Sequence, residues 1–299
     1  MIERKLSGAK PQIALPAGSI DTQLHMYLDG FPSLPGGPAV PEGSPGPAEY
    51  RKVMHWLGIS RLVITQGNAH QRNNDNLVAA LGVMGDIARG VAVIDATTSD
   101  AELARLHAAG VRGARIMDLP GGAVRLDELA AVDARASHAG WMMAVQFDGN
   151  GIEAHYPRLA ALKSRYVIDH HGKFFAGIAP DGPEVVMLKR LIDKGNCWFK
   201  FAGCYESSRI GGPGYEDVGA VARIIAAHAP QRIVWGTNWP HNQARSTADY
   251  PDDAALLDTV LGWIDGDENR RLALVDNPQD LFGFQGRWGE IVKGSDHLA

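Results

Sequence analysis

The chain has 299 residues, 45% of them hydrophobic, which permits one large domain or two modest ones around a sizeable core. Its formal net charge of −5 is mild and no Lys/Arg block stands out, so nucleic acid is not an expected partner. Two cysteines, Cys197 and Cys204, form no disulfide framework and match no zinc spacing, and a reducing cytoplasm is the simplest setting.

The charged N-terminus, residues 1–10, lacks the apolar core of a signal peptide. No apolar run approaches the ~20 residues of a membrane span, so no membrane partner is expected. In chain order, residues 19–25 read as a first strand, followed by a Pro- and Gly-dense loop at 31–47 and a helix over 48–57. A strand at 61–66 then precedes a helix at 74–89, 91–95 precedes 101–109, 113–117 precedes 126–139, and 141–147 precedes 157–163. Strand 166–170 leads to helix 183–194, 198–203 to 216–229, and 233–237 to 252–264. The strands are short runs rich in Val, Ile, Ala and aromatics, as parallel strands buried on both faces require. Asp75 and Ser99 are expected N-caps, and Gly110, Gly140 and Gly195 follow three helices as C′ glycines do.

Eight strands alternating with eight helices predict an α/β protein: a single-domain (β/α)8 TIM barrel over 1–299, with its core at about 19–284. A doubly wound sheet shares the local pattern, but no GxGxxG follows the first strand. The 31–47 loop would overhang the barrel top, either as an irregular surface loop or as a lid. Residues 285–299 read as a loosely tied tail, with Trp288 and Ile291 as docking side chains.

The segment Trp235-Gly236-Thr237-Asn238-Trp239-Pro240-His241 reads as a buried strand with a polar tip. In barrels of this kind, catalytic groups come from the C-terminal strand ends. Period-two alternation sends Asp21, Gln23 and His25 to one side of the first strand. The later ends offer Gln66, Asn68 and His70; Arg115; Gln146 and Asp148; Asp169, His170, His171 and Lys173; Lys200, Tyr205 and Arg209; and Asn238 with His241. Each has a structural reading: a strand-end histidine as a hydrogen-bonding group, Arg115 paired with Asp118 or Asp148, Lys200 as a buried partner of Asp169. His55, His107, His138 and His228 lie in helical stretches as surface or packing residues. Polar groups converging from so many strand ends are what a purely structural barrel does not need.

Asp21-Thr22-Gln23-Leu24-His25, Asp169-His170-His171-Gly172, the Trp235–His241 segment and Asn277-Pro278-Gln279-Asp280-Leu281-Phe282-Gly283-Phe284 together resemble the amidohydrolase superfamily. The similarity is to its branch of pyrone-dicarboxylate lactonases and other sugar-lactone enzymes, across roughly residues 19–284. It implies a distorted barrel of amidohydrolase type. In the superfamily, divalent metals are held by an HxH on strand one, Lys or Glu on strand four, His on strands five and six, and Asp on strand eight. The matching positions here are Gln23 and His25, Arg115, Gln146, His170 and Asn238, leaving only two good ligands, His25 and His170. A catalytic zinc typically takes three protein ligands, protonated arginine cannot ligate and amides ligate weakly, so no metal or other cofactor is expected.

In metal-free relatives of the branch, the resemblance implies that the strand-eight Asp activates water, and Asn238 cannot do so. It therefore implies a sugar-acid lactone isomerase, acting on an aldaro-lactone and converting galactaro-1,5-lactone into the 1,4-lactone by acyl migration. That chemistry needs one proton shuttle and donors for a developing oxyanion. His170 is the first choice as shuttle, with His25 and His241 as alternatives, because an imidazole can move protons both ways near neutrality. Asn238, Gln23 and Lys200 are candidate donors to the lactone oxygens. Arg115 is the expected carboxylate partner, helped by Arg72 or Arg209. Gln66, Asn68, His70, Gln146 and Tyr205 would read hydroxyls. Two rivals remain: a metal-free lactonase in which Asp21, Asp169 or a histidine activates water, and a sugar-acid binding protein without catalysis. A homo-oligomer is a further expectation, since barrels of this type often pair.

Overall fold

The computed structural model describes residues 2–284; the expected tail at 285–299, with Trp288 and Ile291, lies outside the described residues. Eight parallel strands pair in sequence order: β1 (Ile20–Leu24), β2 (Arg61–Thr65), β3 (Ala88–Ala92), β4 (Val111–Asp118), β5 (Met142–Phe147), β6 (Tyr166–Ile168), β7 (Cys197–Phe201) and β8 (Ile233–Trp235). The first and last strands close on each other: the Asn238 amide donates to Gln23 O at 2.7 Å and the His25 amide to Trp239 O at 2.8 Å. The result is the expected TIM barrel. Its helices are α1 (Pro47–Leu57), α2 (Asp75–Met84), α3 (Asp100–Ala108), α4 (Leu129–His138), α5 (Ile152–Ala160), α6 (Pro183–Asp193), α7 (Glu216–His228) and α8 (Asp253–Leu261).

Amphipathic spacing explains how the helices pack. Val185, Leu188, Leu191 and Ile192 form the buried face of α6, each removing roughly 1.5–3 kcal/mol worth of apolar surface from water. Ser99 caps α3 by accepting from the Glu102 amide at 3.1 Å. Asp75 is the first residue of α2 rather than its cap, and Asn73 Oδ1 accepts the Asp75 amide instead. Gly110, Gly140 and Gly195 have φ of 102°, 69° and 92°, the left-handed conformation that ends helices without a Cβ penalty.

Three elements depart from the sequence expectation. The third strand is Ala88–Ala92, not 91–95, because its polar opening Arg89-Gly90 carries no apolar signal. Gly90 is needed there: a Cβ would come within 2.8 Å of Leu81 Cδ1. The fifth helix begins at Ile152, after a 3-10 turn over Gly149–Gly151 capped by Asp148, so Pro157 lies inside it rather than at its start. The stretch from Asp267 to Leu281 is helical throughout, with a π-turn at Leu272–Asp276. Asn277 Nδ2 donates to Ile233 O and Pro230 O, which binds this segment to β8. Leu281, Phe282 and Phe284 then pack with Ile20, Val63, Val91, Val167, Trp198 and Val234 as one apolar cluster that fills the lower barrel.

The 31–47 loop is strapped down over the barrel top. The Leu34 amide donates to Ala69 O, the Tyr27 amide to Pro45 O, and a Cβ on Gly37 would lie 2.4 Å from Asn68 O.

Candidate active site

Above the strand ends lie two adjoining cavity lobes of about 700 and 630 Å³ that share His25, Asn68 and Met117. The first is walled by Arg115, Gln146, His170, Lys173, Tyr205, Glu206 and Asn238. Residues 36–42 of the strapped loop wall the second, with Tyr27 and His241.

β1 does not alternate simply, because its register against β2 shifts between Asp21 and Leu24. Asp21 therefore accepts from Tyr50 Oη of α1, at 2.6 Å, and from the Thr237 amide and hydroxyl, instead of facing the cavity with His25. Burial pushes its carboxyl up to about 6, against the pull of those hydrogen bonds. His25 follows the strand. Its Nδ1 donates to Thr65 O at 2.9 Å, which fixes the proton on that nitrogen. Among the described residues Nε2 has no hydrogen-bond partner, and it lies at the cavity wall with its lone pair free. Burial, reinforced by the Arg115 guanidinium, holds the imidazole down at about 3, so it is neutral at working pH.

Arg115 rises from β4 and is almost fully buried. It donates to Gln66 O, Asn68 Oδ1, Gln146 Oε1 and the Met117 sulfur. Among the described residues no carboxylate forms an ion pair with it, and its Nε has no partner. Its Nη hydrogens are committed and its Nε is buried, so what Arg115 offers an anionic ligand is a positive charge without a counter-ion, with the weak contact to the Met117 sulfur as the one a carboxylate could displace.

His170 and Asn238 both sit at positive φ, 48° and 64°, and face each other. Asn238 Nδ2 donates to Glu206 Oε1 at 2.8 Å and to Tyr205 Oη at 2.9 Å, so its Oδ1 accepts from His170 Nε2 at 3.0 Å. His170 Nδ1 lies 3.1 Å from Asp169 Oδ1, too poorly aligned to be a hydrogen bond. Nε2 of His170 thus carries the proton given to Asn238, and Nδ1 is buried against Asp169 Oδ1, so neither nitrogen presents a lone pair to the cavity. His241 is likewise committed: Tyr205 Oη is 2.8 Å from its Nδ1, and its Nε2 is 3.0 Å from Asp253 Oδ1. Glu206 is also ion-paired with Lys173. Burial alone would raise its carboxyl, but Lys173 and His170 outweigh burial and hold it below the usual range.

Of the twelve residues singled out in the sequence, His25, His170, Asn238, His241, Asn68, Arg115, Gln146 and Tyr205 line the two lobes. Four do not. Lys200 is the buried partner of Asp169, at 3.0 Å, and its Nζ also donates to Gln23 Oε1 at 2.8 Å, so Lys200 and Gln23 brace the floor beneath the site. Gln66 donates from its side chain to Asn73 O. His70 Nδ1 donates to Pro32 O, anchoring the 31–47 loop. Arg115 pairs with neither Asp118, which holds Arg125, nor Asp148. Arg72 is taken by Asp95 and Glu128, and Arg209 donates to Ala176 O. Sequence reasoning missed Glu206, whose only signal is its place beside Tyr205 just after β7.

The buried groups also set an acid limit on stability. His25 and His171 are both held at about 3 against an ordinary 6.5, chiefly by burial. Below about 6.5 the unfolded chain binds protons at these positions that the folded chain refuses, so this contribution is present above 6.5 and is lost as pH falls toward 3. Asp21 acts in the opposite sense between 3.8 and about 6, because the fold keeps its proton there. Two histidines against one carboxyl leave a net loss of about 1.4 kcal/mol per pH unit. Glu206 and Asp169, both held below the ordinary carboxylate range, steepen it further at lower pH. We expect denaturant-derived stability to drop by roughly 2 kcal/mol from about pH 6.5 to about pH 5. A flat or rising profile over that interval would contradict the burial of neutral imidazoles.

The fold and the site define a (β/α)8 barrel with a polar, small-molecule pocket at its strand ends. The amidohydrolase family model matches residues 20–284, and the chain belongs to that family. It is 61% identical to a D-galactarolactone isomerase of Agrobacterium fabrum over 280 residues, 93% of this chain and 96% of the relative. It is 32% identical to a 2-pyrone-4,6-dicarboxylate hydrolase of Comamonas testosteroni, covering 95% of this chain and 94% of that one. An apo crystal structure of an Agrobacterium tumefaciens protein superposes with a TM-score of 0.93 at 60% identity, covering 95% of this chain and all of that one.

The residues at the superfamily's metal positions do not fit a divalent cation. Among the described residues, no three His, Cys, Asp or Glu are grouped to hold one. Arg115 brings a positive charge to the position of a ligand, and His170 commits Nε2 to Asn238 while its Nδ1 is buried against Asp169.

Proposed function

We propose that this chain is a lactone isomerase that interconverts D-galactaro-1,5-lactone and D-galactaro-1,4-lactone by intramolecular acyl migration. The carrying observation is Asn238: an amide bonded on both ends stands where a water-activating acid would have to be. The likeness to the galactarolactone isomerase supplies the substrate class, a D-galactarolactone. Asp21 and Asp169, the acids that a lactonase could otherwise use, are buried in Tyr50–Thr237 and Lys200 contacts.

In the migration, the O4 hydroxyl attacks C1, the O4–C1 bond forms and C1–O5 breaks. The proton leaving O4 ends on O5, and no water is consumed. A ring hydroxyl held beside its carbonyl can have an effective molarity of about 10⁵ M, so little beyond orientation and proton transfer is required. His25 Nε2 takes the proton from O4 and returns it to O5, a role that its free lone pair suits and that the committed His170 and His241 do not. Arg115 holds the free carboxylate of the aldaro-lactone, and that carboxylate offsets the guanidinium charge as the imidazole becomes cationic. Gln146, Asn68 and Tyr205 border the sugar hydroxyls.

The test is a time-resolved NMR assay on the 1,5-lactone, in heavy-oxygen water, with and without a chelator. The 1,4-lactone should accumulate without label and regardless of chelator. Open-chain galactarate as the main product would favour the lactonase, and an unchanged ligand that binds saturably would favour the binding protein. Cys197 and Cys204 are both free and buried, in keeping with a reducing cytoplasm, and no described helix is long and apolar enough to cross a membrane. A homo-oligomer that binds no nucleic acid completes the reading.

A further inference from the structure

Asn238 is held by a carboxylate that the acyl-migration step does not use. Glu206 follows β7 on a 3-10 turn, its side chain only 10% exposed, and it divides its oxygens between two partners. Oε2 meets Lys173 and Oε1 accepts from Asn238 Nδ2 at 2.8 Å. Since Tyr205 Oη takes the same Nδ2, the Asn238 oxygen has one place to go, His170 Nε2. The backbone beside the pair leaves room for no side chain. Gly203, at φ 60°, packs so closely that a Cβ there would lie 2.9 Å from Asn238 Nδ2 and 3.0 Å from His170 Cδ2.

We infer that Glu206 is a specificity-determining, positioning residue that restricts position 238 to an amide and thereby keeps the site from hydrolysing its lactone. This rests on the isomerase reading given above. Its physical basis is a like-charge argument. An aspartate at 238 would place one oxygen where Nδ2 now lies, about 2.8 Å from Glu206 Oε1. Two buried carboxylates at that distance cannot both ionise, and they share one proton. Lys173 already stabilises Glu206 as the charged member, so the proton resides on the introduced aspartate. A protonated acid cannot take a proton from water. The single Asn238→Asp change, which chemistry at position 238 alone would make a hydrolase, is therefore held silent by its neighbour. Exchanging the two groups, Glu206→Gln with Asn238→Asp, keeps the net charge and the hydrogen bond between positions 206 and 238 while freeing the aspartate to ionise.

The experiment compares wild type, N238D and E206Q/N238D by NMR product analysis on the 1,5-lactone across pH, with infrared spectra of the three proteins. N238D should hydrolyse slowly at neutral pH, gain hydrolysis only on the alkaline side, and show at about pH 7–8, above the range where Asp21 holds its proton, a protonated-carboxyl band that wild type lacks there. The exchanged variant should lose that band and hydrolyse at neutral pH at least about tenfold faster than N238D, the low end of what a placed general base supplies. Full hydrolysis by N238D at neutral pH, or no protonated-carboxyl band in it, overturns the inference. Should the exchanged variant not fold, the band and the pH profile of N238D decide alone. A wild type that forms no 1,4-lactone defeats the isomerase reading, and the infrared result still decides whether Glu206 and residue 238 share a proton.

Discussion

His25→Gln should lower kcat for lactone isomerisation by about 10²–10⁴-fold and leave KM within a few-fold of wild type. Glutamine can keep the donor bond to Thr65 O that now anchors the ring, so the fold and pocket shape are retained. What it loses is the lone pair of Nε2, the atom proposed to carry the proton from the attacking to the leaving oxygen. Because the interaction is made only as that proton moves, the loss belongs in kcat. His25→Ala opens a gap the size of the ring, and added imidazole should restore part of its activity. His170→Ala, which leaves a gap of the same size, serves as the contrast. His170 orients Asn238 rather than facing substrate with a free nitrogen, so its loss should be smaller and unresponsive to imidazole. Rescue of the position-170 variant but not of the position-25 one would return the shuttle role to His170, the first choice from sequence.

The distance between those two choices shows what a sequence can carry. Strand order, barrel closure and the polar tip at Trp235–His241 follow from short apolar runs and turn residues, which are local signals, and the structure reproduces them. Hydrogen-bond commitment is not local. His170 and His25 look equivalent as strand-end histidines, yet one gives its Nε2 proton to Asn238 and buries Nδ1 against Asp169, whereas the other keeps a lone pair on the cavity. The difference lies in partners remote in sequence: Asn238, 68 residues on, takes the Nε2 of His170, whereas His25 meets only Thr65 O, 40 residues on. Lys200 was legible as a partner of Asp169 because opposite charges at the ends of neighbouring strands are easily paired. Gln66 and His70 point away from the lobes because their partners, Asn73 O and Pro32 O, are backbone groups of irregular segments that no periodicity locates. Asp21 was turned the wrong way by a register shift in β1, since period-two reasoning assumes an unbroken strand. Glu206 had no motif to mark it and matters only through a contact with Asn238, 32 residues on.

Arg115→Met should reduce kcat/KM for the aldaro-lactone by about 30- to 1,000-fold, on the order of 2–4 kcal/mol, mostly through KM. The guanidinium is placed by Gln66 O, Asn68 and Gln146, while its charge has no carboxylate among the described residues to meet it. A bound substrate carboxylate supplies the missing counter-charge in a buried site, where a charge-assisted contact is worth most, and could take the Nη2 hydrogen now spent on the Met117 sulfur. Methionine fills much of the volume and supplies none of the charge. Arg115→Lys should fall between, because an ammonium restores charge without the planar fork. Two controls separate a receptor from a mere scaffold. An aldono-lactone, which has no free carboxylate, should lose little on going from wild type to R115M, whereas a collapsed pocket would penalise both ligands alike. Removing Arg115 also removes a positive charge that helps keep His25 unprotonated, so the acid limb of the kcat profile should move to higher pH in R115M. Equal losses for charged and uncharged lactones, with no movement of that limb, would assign Arg115 to the scaffold and leave the substrate carboxylate to be sought at the cavity mouth, where Arg245 lies exposed beside Asp249.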